Sequence, residues 1–289
     1  MGPLVNKHAQ IYWTCLKISF VFVWALVIIG MVLGASALCP YPTGICKLYT
    51  FSPLFTLPGK VVLLAALAFA SFFYLREKYM ITSTLVLALL SAIIITYEES
   101  NGLYQRATLL SMIWLAQSFA YIAYRYNKNF NLNLFRQQYV VQIICAGYML
   151  AGISKLMQSG FEWPAQSAQL LPIHMMKGFA GDYYSFGNIA YLNKGMAVVG
   201  MLSEHYTAFK ILLGMSMILE LTCFMAIVKP GLRFVYGAAL LLMHLGILYT
   251  MNILISPFAF PMVIFFMNPL FYIVIGFAKA KQLITKPLV

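Results

Sequence analysis

The sequence predicts an all-α polytopic membrane protein: a bundle of about eight transmembrane helices forming one integral membrane domain over residues 1–289. Three observations predict it. The chain is 62% hydrophobic and only 9% charged, where a soluble domain carries about 45–50% apolar and 25% charged residues. Apolar runs near bilayer length recur along it. Its Lys and Arg gather in short clusters between those runs, as the positive-inside rule writes orientation into a sequence. The net charge of +12 is therefore read as topology. No basic recognition motif accompanies it, which argues against a nucleic-acid partner and for membrane lipid.

The runs lie near 16–38, 60–75, 79–97, 107–124, 137–157, 207–228, 231–249 and 257–277. The first is longer than a signal-peptide core and has no small-x-small cleavage site, so it reads as a retained helix. Placing the N-terminus inside puts Lys7, Lys17, Arg76, Lys78, Arg125, Lys128, Arg136, Lys229, Arg233, Lys279, Lys281 and Lys286 on the cytoplasmic face, twelve of the nineteen basic residues. Both termini are then cytoplasmic. Of the seven acids, only Glu77 falls inside. This bias, with an uncleaved first helix, fits a bacterial inner (cell) membrane.

The one substantial outer segment runs over 158–206. Within it, Ser167–Gly178 and Asn188–Leu202 are apolar but too short or interrupted to span, which suits interfacial or re-entrant helices. Trp163, Tyr183, Tyr184 and Tyr191 suit an aromatic belt. In the last run, Pro257, Pro261 and the Asn268-Pro269 pair predict a kink or a broken helix.

Of five cysteines, Cys15, Cys145 and Cys223 read as small apolar packing residues. Cys39 and Cys46 bracket a Pro- and Gly-containing outer turn, Cys39-Pro-Tyr-Pro-Thr-Gly-Ile-Cys46, and an oxidising exterior would permit a disulfide there. Four scattered histidines make no metal-ligand pattern, so no metal is expected.

Charges at membrane depth are functional candidates by default. Lys155 closes the fifth run; Glu220 and His244 lie inside the sixth and seventh. Tyr148 and Lys155, seven residues apart, share a helix face, and Gly147 and Ala151 give the small-xxx-small spacing that admits a neighbouring helix. At 1.5 Å per residue, Lys155 lies roughly 3 Å inside the outer edge and His244 roughly 20 Å from the inner one. The two could share an outward-facing pocket, with Glu220 serving a different contact. Each has a plainer reading. Lys155 can snorkel to the interface, His244 can hydrogen-bond between helices, and Glu220 can hold a neighbouring helix through a hydroxyl, amide or basic partner. Glu98, Glu99, Ser100, Asn101 and Gly102 form either a polar outer mouth or a solvated turn. Gln117 and Gln142 add amides within runs.

Gln142, Tyr148, Ala151-Gly152, Lys155-Leu156, Ser159-Gly160 and Trp163 resemble the Y-x-x-A/S-G-x-x-K-L…G-x-x-W segment of the horizontally-transferred transmembrane (HTTM) superfamily. Leu219-Glu220-Leu221, Met243-His244-Leu245-Gly246 and Pro257 are similar to that superfamily's later helices. It includes the vitamin K-dependent gamma-carboxylase and a bacterial membrane protein that matures a sporulation-delaying toxin peptide, the branch this chain resembles more. The resemblance implies a catalytic base at Lys155 acting with a reduced quinone; the chain's own polar residues place His244 as its catalytic companion and Tyr148, Glu220, Glu98, Glu99, Asn101, Gln117 and Trp163 in support. Two features depart from the carboxylase: no histidine lies near Glu98–Asn101, and no large extramembrane segment is present. The implied function is thus modification, maturation or export of a secreted peptide at the outer half of the membrane, with other membrane subunits as partners, rather than gamma-carboxylation itself. The alternative is a non-enzymatic transporter, immunity protein or membrane-complex subunit, for which the broken last helix and intramembrane Glu220 speak.

Overall fold

The computed structural model describes residues 3–39, 41–101, 107–129, 131–252 and 256–284. Pro40, Gly102 and Lys286, used above in the reading of turns and topology, lie outside them. Among the described residues every regular element is helical. Five stretches are long and apolar enough to cross a membrane: His8–Gly34, Leu57–Leu75, Met80–Ser100, Leu132–Phe186 and Gly231–Met251. A bent pair, Pro257–Met267 with Pro269–Ala278, would make a sixth. Contacts divide the chain into two compact units, 1–143 with 260–289, and 144–259.

The first unit contains α1 (Pro3–Gly34), α2 (Leu57–Leu75), α3 (Met80–Ser100), α4 (Thr108–Tyr126), the start of α5 (Leu132–Ser159), the end of α11 (Ser256–Met267) and α12 (Pro269–Ile284). Trp114 of α4 is its centre. Phe20, Trp24 and Tyr74 surround that indole with ring centroids 4.9, 5.4 and 4.8 Å away, and Phe20 also meets Phe265 at 5.3 Å. Tilted and edge-to-face pairs of this kind add to the energy of burial alone. Polar tips inside the core are used as ties. Trp24 Nε1 donates to Ser91 Oγ at 2.9 Å, and the Tyr74 hydroxyl donates to Gln117 Oε1 at 2.5 Å.

At one end of this unit, the loop after α1 is strapped onto α3. Ser100 accepts from the Tyr41 and Thr43 amides through its carbonyl and hydroxyl, and Phe55 stacks on Tyr97 at 3.7 Å. Lys60 reaches the last turn of α1 and donates to the Leu33 and Ala35 carbonyls, where a cation meets the negative end of the helix dipole. At the other end, Tyr12 OH and the Phe265 carbonyl both accept from Gln137 Nε2, and Asn268 Nδ2 donates to the Tyr12 carbonyl.

The second unit contains the rest of α5, α6 (Trp163–Phe186), α7 (Ala190–Glu204), α8 (Tyr206–Leu221), α9 (Met225–Val228), α10 (Pro230–Met251) and the first turn of α11. α6 and α7 form a helical hairpin with its own apolar core of Leu171, Met175, Phe179, Val198 and Leu202, joined by Phe209, Leu213 and Met251. Gly187 closes α6 in the left-handed conformation at φ +67° and donates its amide to the Tyr183 carbonyl, a helix ending that glycine serves best. The core of the hairpin explains why the sequence here is apolar yet interrupted: half of each helix covers the other.

Three expectations need correction or refinement. α4 is a helix of 19 residues, but it is not one of the apolar stretches, because Ser111, Gln117, Ser118 and Arg125 dilute it. The expected run over 207–228 is two helices: α8 stops after 16 residues, and a turn over 222–224 leads to the four-residue α9. Tyr236 OH donates to Thr222 Oγ1 at 2.9 Å, and Arg233 Nε donates to the Ala226 carbonyl, so α10 fixes that corner. The expected break near the C-terminus falls at Asn268, where α11 and α12 meet at 46° and the residue takes φ +47°. Pro261 sits inside α11 without ending it.

Cys39 and Cys46 are both free thiols here, and the turn between them brings Cys39 within hydrogen-bonding reach of Cys46. Cys46 is buried under the strap, and burial raises its pKa above the usual thiol range. A protonated thiol neither attacks nor exchanges readily.

Candidate functional site

The site that the sequence singled out is built on one stripe of α5. Cys145, Tyr148, Gly152 and Lys155 recur at spacings of three, four and three, so they lie one above another along a single helix face. Three of the four use their side chains on partners in α8, in the turn after it, or in α10.

Lys155 Nζ donates to both oxygens of Glu220, at 2.6 and 2.5 Å. The Trp163 ring, the first residue of α6, lies 4.6 Å from the same ammonium, within cation–π range. The carboxylate is almost sealed, with 7% of its side chain exposed, while Lys155 keeps 23%. The pair therefore has a buried anion and a cation that opens partly outward. Gly152 makes the approach feasible. A Cβ there would meet Leu221 side-chain atoms at 3.0 Å and Glu220 Cβ at 3.3 Å, so a larger residue would push α8 away from α5.

One turn along the stripe, Tyr148 OH and His244 Nε2 of α10 lie 2.6 Å apart. Tyr148 also faces Phe258, its ring centroid 6.5 Å away. His244 is buried, and among the described residues its Nδ1 has no hydrogen-bond partner, which is uncommon for a buried ring nitrogen. The two pairs lie within electrostatic reach of each other: Lys155 acts on His244, and Glu220 acts on Tyr148. At the far end of the stripe, Cys145 Sγ donates to the Cys223 carbonyl at 3.2 Å and lies 3.6 Å from Cys223 Sγ.

Glu220 was expected to serve a different contact from Lys155; instead it is the partner of Lys155. The depth estimate counted residues along an uninterrupted sixth span, whereas α8 ends one residue after Glu220. Glu220 consequently sits at a helix end rather than mid-span. The pairing of Cys145 with Cys223 was missed. Its signal was the spacing, since Cys145 precedes Tyr148 by three residues and Cys223 follows Glu220 by three.

The remaining candidates belong to the first unit and are placed there. Glu98 is buried at the end of α3, its Oε1 without a partner among the described residues, and Lys60 is within electrostatic reach. Asn101 Nδ2 is likewise buried without a partner among the described residues, while Glu99 accepts from Thr108 Oγ1 at 3.2 Å. Glu98 is thus not part of a solvated turn. Gln117 accepts from the Tyr74 hydroxyl, and among the described residues its own Nε2 has no partner.

No family model, curated protein or solved structure matches the chain.

Proposed function

We propose that this is an HTTM-like polytopic membrane protein with eight crossings and cytoplasmic termini, whose second unit handles a proton during modification, maturation or export of a secreted peptide. The observation that carries this reading is the stripe on α5. It brings an ammonium, a carboxylate, a phenol and an imidazole together inside apolar helices, where unneeded polar groups are costly.

The division of labour follows from the geometry. Lys155 Nζ lies 2.6 and 2.5 Å from the two Glu220 oxygens, close enough for a proton to pass from nitrogen to carboxylate. The amine left behind is the general base, and the newly formed carboxylic acid keeps the proton until it is needed. Trp163 shields one side of the amine. Tyr148 fixes the His244 ring through Nε2, which leaves Nδ1 to face a ligand oxygen. That orphaned nitrogen is the feature that fits a reduced quinone, which would supply reducing equivalents when bound.

A second reading is favoured by the completeness of the Lys155–Glu220 pair. A cation with two carboxylate oxygens and an aromatic lid can act as a helix tie in a transporter, immunity protein or assembly subunit. The charge-free double variant Lys155→Met/Glu220→Leu separates the two. Under the proposed function it folds and inserts but no longer changes the mass or amount of the secreted peptide, read by mass spectrometry of the culture medium. Wild-type peptide output from the double variant would establish the helix tie instead. Redox difference spectra of lipid extracts should show quinone co-purifying with the wild type and depleted in His244→Phe.

A further inference from the structure

Away from the α5 stripe, the first unit contains a second charged assembly that the proposed function does not use. Its centre is Arg136, near the start of α5, with 3% of its surface exposed. The guanidinium lies 3.7 Å over the Trp13 ring, donates to the Tyr121 hydroxyl at 2.6 Å, and bonds Asn133 Oδ1. Lys17 of α1 is equally buried and donates to Glu77 Oε1 at 3.0 Å and to the Leu75 carbonyl at 3.1 Å. The same Glu77 oxygen is 3.9 Å from Arg136. One carboxylate, with 53% of its side chain exposed, therefore serves two buried cations. Buried charge without a counter-charge is expensive, and this node has one cation too many.

A cavity of about 430 Å³ opens beside it, between the α2–α3 and α4–α5 connections. Arg136 forms part of its wall, and Arg125 and Lys128 stand at its exposed side. Lys128 Nζ is held 4.3 Å over the Tyr124 ring, and among the described residues Arg125 has no partner. Glu77 is the one acid in the lining. Tyr121, Tyr124, Met80 and Ile81 supply an aromatic and apolar wall. The volume falls in the range of small-molecule sites. Guanidinium forks match the oxygens of a phosphate, and a lysine adds a point charge.

We infer that this cavity binds a phosphate ester of net negative charge, with Arg125 and Lys128 engaging the anion over the buried charge of Arg136 and the apolar wall taking up the body of the ligand. A phospholipid headgroup and a free phosphate compound share that chemistry. On the orientation proposed above, the cavity faces the cytoplasmic leaflet, where anionic headgroups concentrate.

The test uses the full chain, delipidated in a neutral detergent. Dimyristoylphosphatidylglycerol and dimyristoylphosphatidylcholine are titrated separately, and the bound lipid is counted by native mass spectrometry. The wild type should bind the anionic lipid about tenfold more tightly, a preference worth one to two surface cations. Arg125→Gln/Lys128→Gln, both at exposed positions, should reduce that preference to about threefold or less while melting as the wild type does. Displacement of the anionic lipid by millimolar inorganic phosphate would assign the site to a free phosphate compound, and no displacement would assign it to the headgroup. Equal binding of the two lipids together with no phosphate binding overturns the proposal. So does a double variant that keeps the full preference.

Discussion

The two charged assemblies of this protein solve the same problem differently. On α5, Lys155 and Glu220 form a closed pair: one cation, one sealed carboxylate, both oxygens used. In the first unit, Lys17 and Arg136 share a half-exposed Glu77, and rings, hydroxyls and carbonyls make up the rest of their contacts. In the pair, the anion is what burial endangers. In the node the cations are buried, and several neutral donors and acceptors spread the cost. The pair should therefore fail when either member is removed, whereas the node, whose cations keep neutral partners, should lose less when its acid is removed.

The largest expected effect is on the pair. Lys155→Met leaves the Glu220 carboxylate buried and alone, and should lower stability by about 3 kcal/mol, the lower end for a broken buried pair because Lys155 is partly open. Unfolding in detergent would measure it. Adding Glu220→Leu should recover most of the loss. If the single variant melts like the wild type, the pair is no more costly to break than a surface contact.

Gly152→Leu comes next. It leaves every charge in place but pushes α8 away from α5, with an overpacking cost of about 2 kcal/mol. An engineered cysteine pair across α5 and α8 should then crosslink more slowly. Unchanged crosslinking would mean that glycine is not what brings Glu220 within reach.

The smallest effect is expected in the node. Glu77→Gln keeps an oxygen for Lys17, and Arg136 retains Tyr121 and Asn133, but two buried cations lose their half-exposed counter-charge, so the loss should be about 1.5 kcal/mol. A drop as large as that of Lys155→Met would erase the distinction between the two assemblies.

The all-helical, apolar character was legible in the sequence, and so was the face of α5 that carries Tyr148 and Lys155, for physical reasons that also mark the limits. Helical apolar stretches follow from composition, and the break at Asn268 follows from the proline after it, which cannot supply an amide. The end of α8 was not legible: Thr222, Cys223 and Phe224 include neither Pro nor Gly, and the turn there is held by Tyr236 and Arg233 from another helix. Losing that helix end misplaced Glu220, and with it the partner of Lys155. The polarity of α4 was visible in Gln117 and its serines, but a count of apolar residues outweighed it. Arg136 was read only as a marker of orientation. Periodicity along one helix cannot reveal that Trp13, Tyr121 and Glu77 converge on it from three separate stretches of chain.

The division of the chain carries a consequence for its biosynthesis. The second unit is continuous, 144–259, whereas the first needs 1–143 and 260–289 together. Asn268 donates its side-chain amide to the Tyr12 carbonyl, and Phe271 packs edge-on against the Tyr12 ring at 5.0 Å. Those contacts join residues more than two hundred and fifty positions apart. As the chain leaves the ribosome, the α5 stripe can find Glu220 and His244 while the first unit still lacks its last helices. A nascent chain stalled after about residue 260 should therefore already protect Lys155 from amine-reactive reagents, while Tyr12 still waits for its final neighbours.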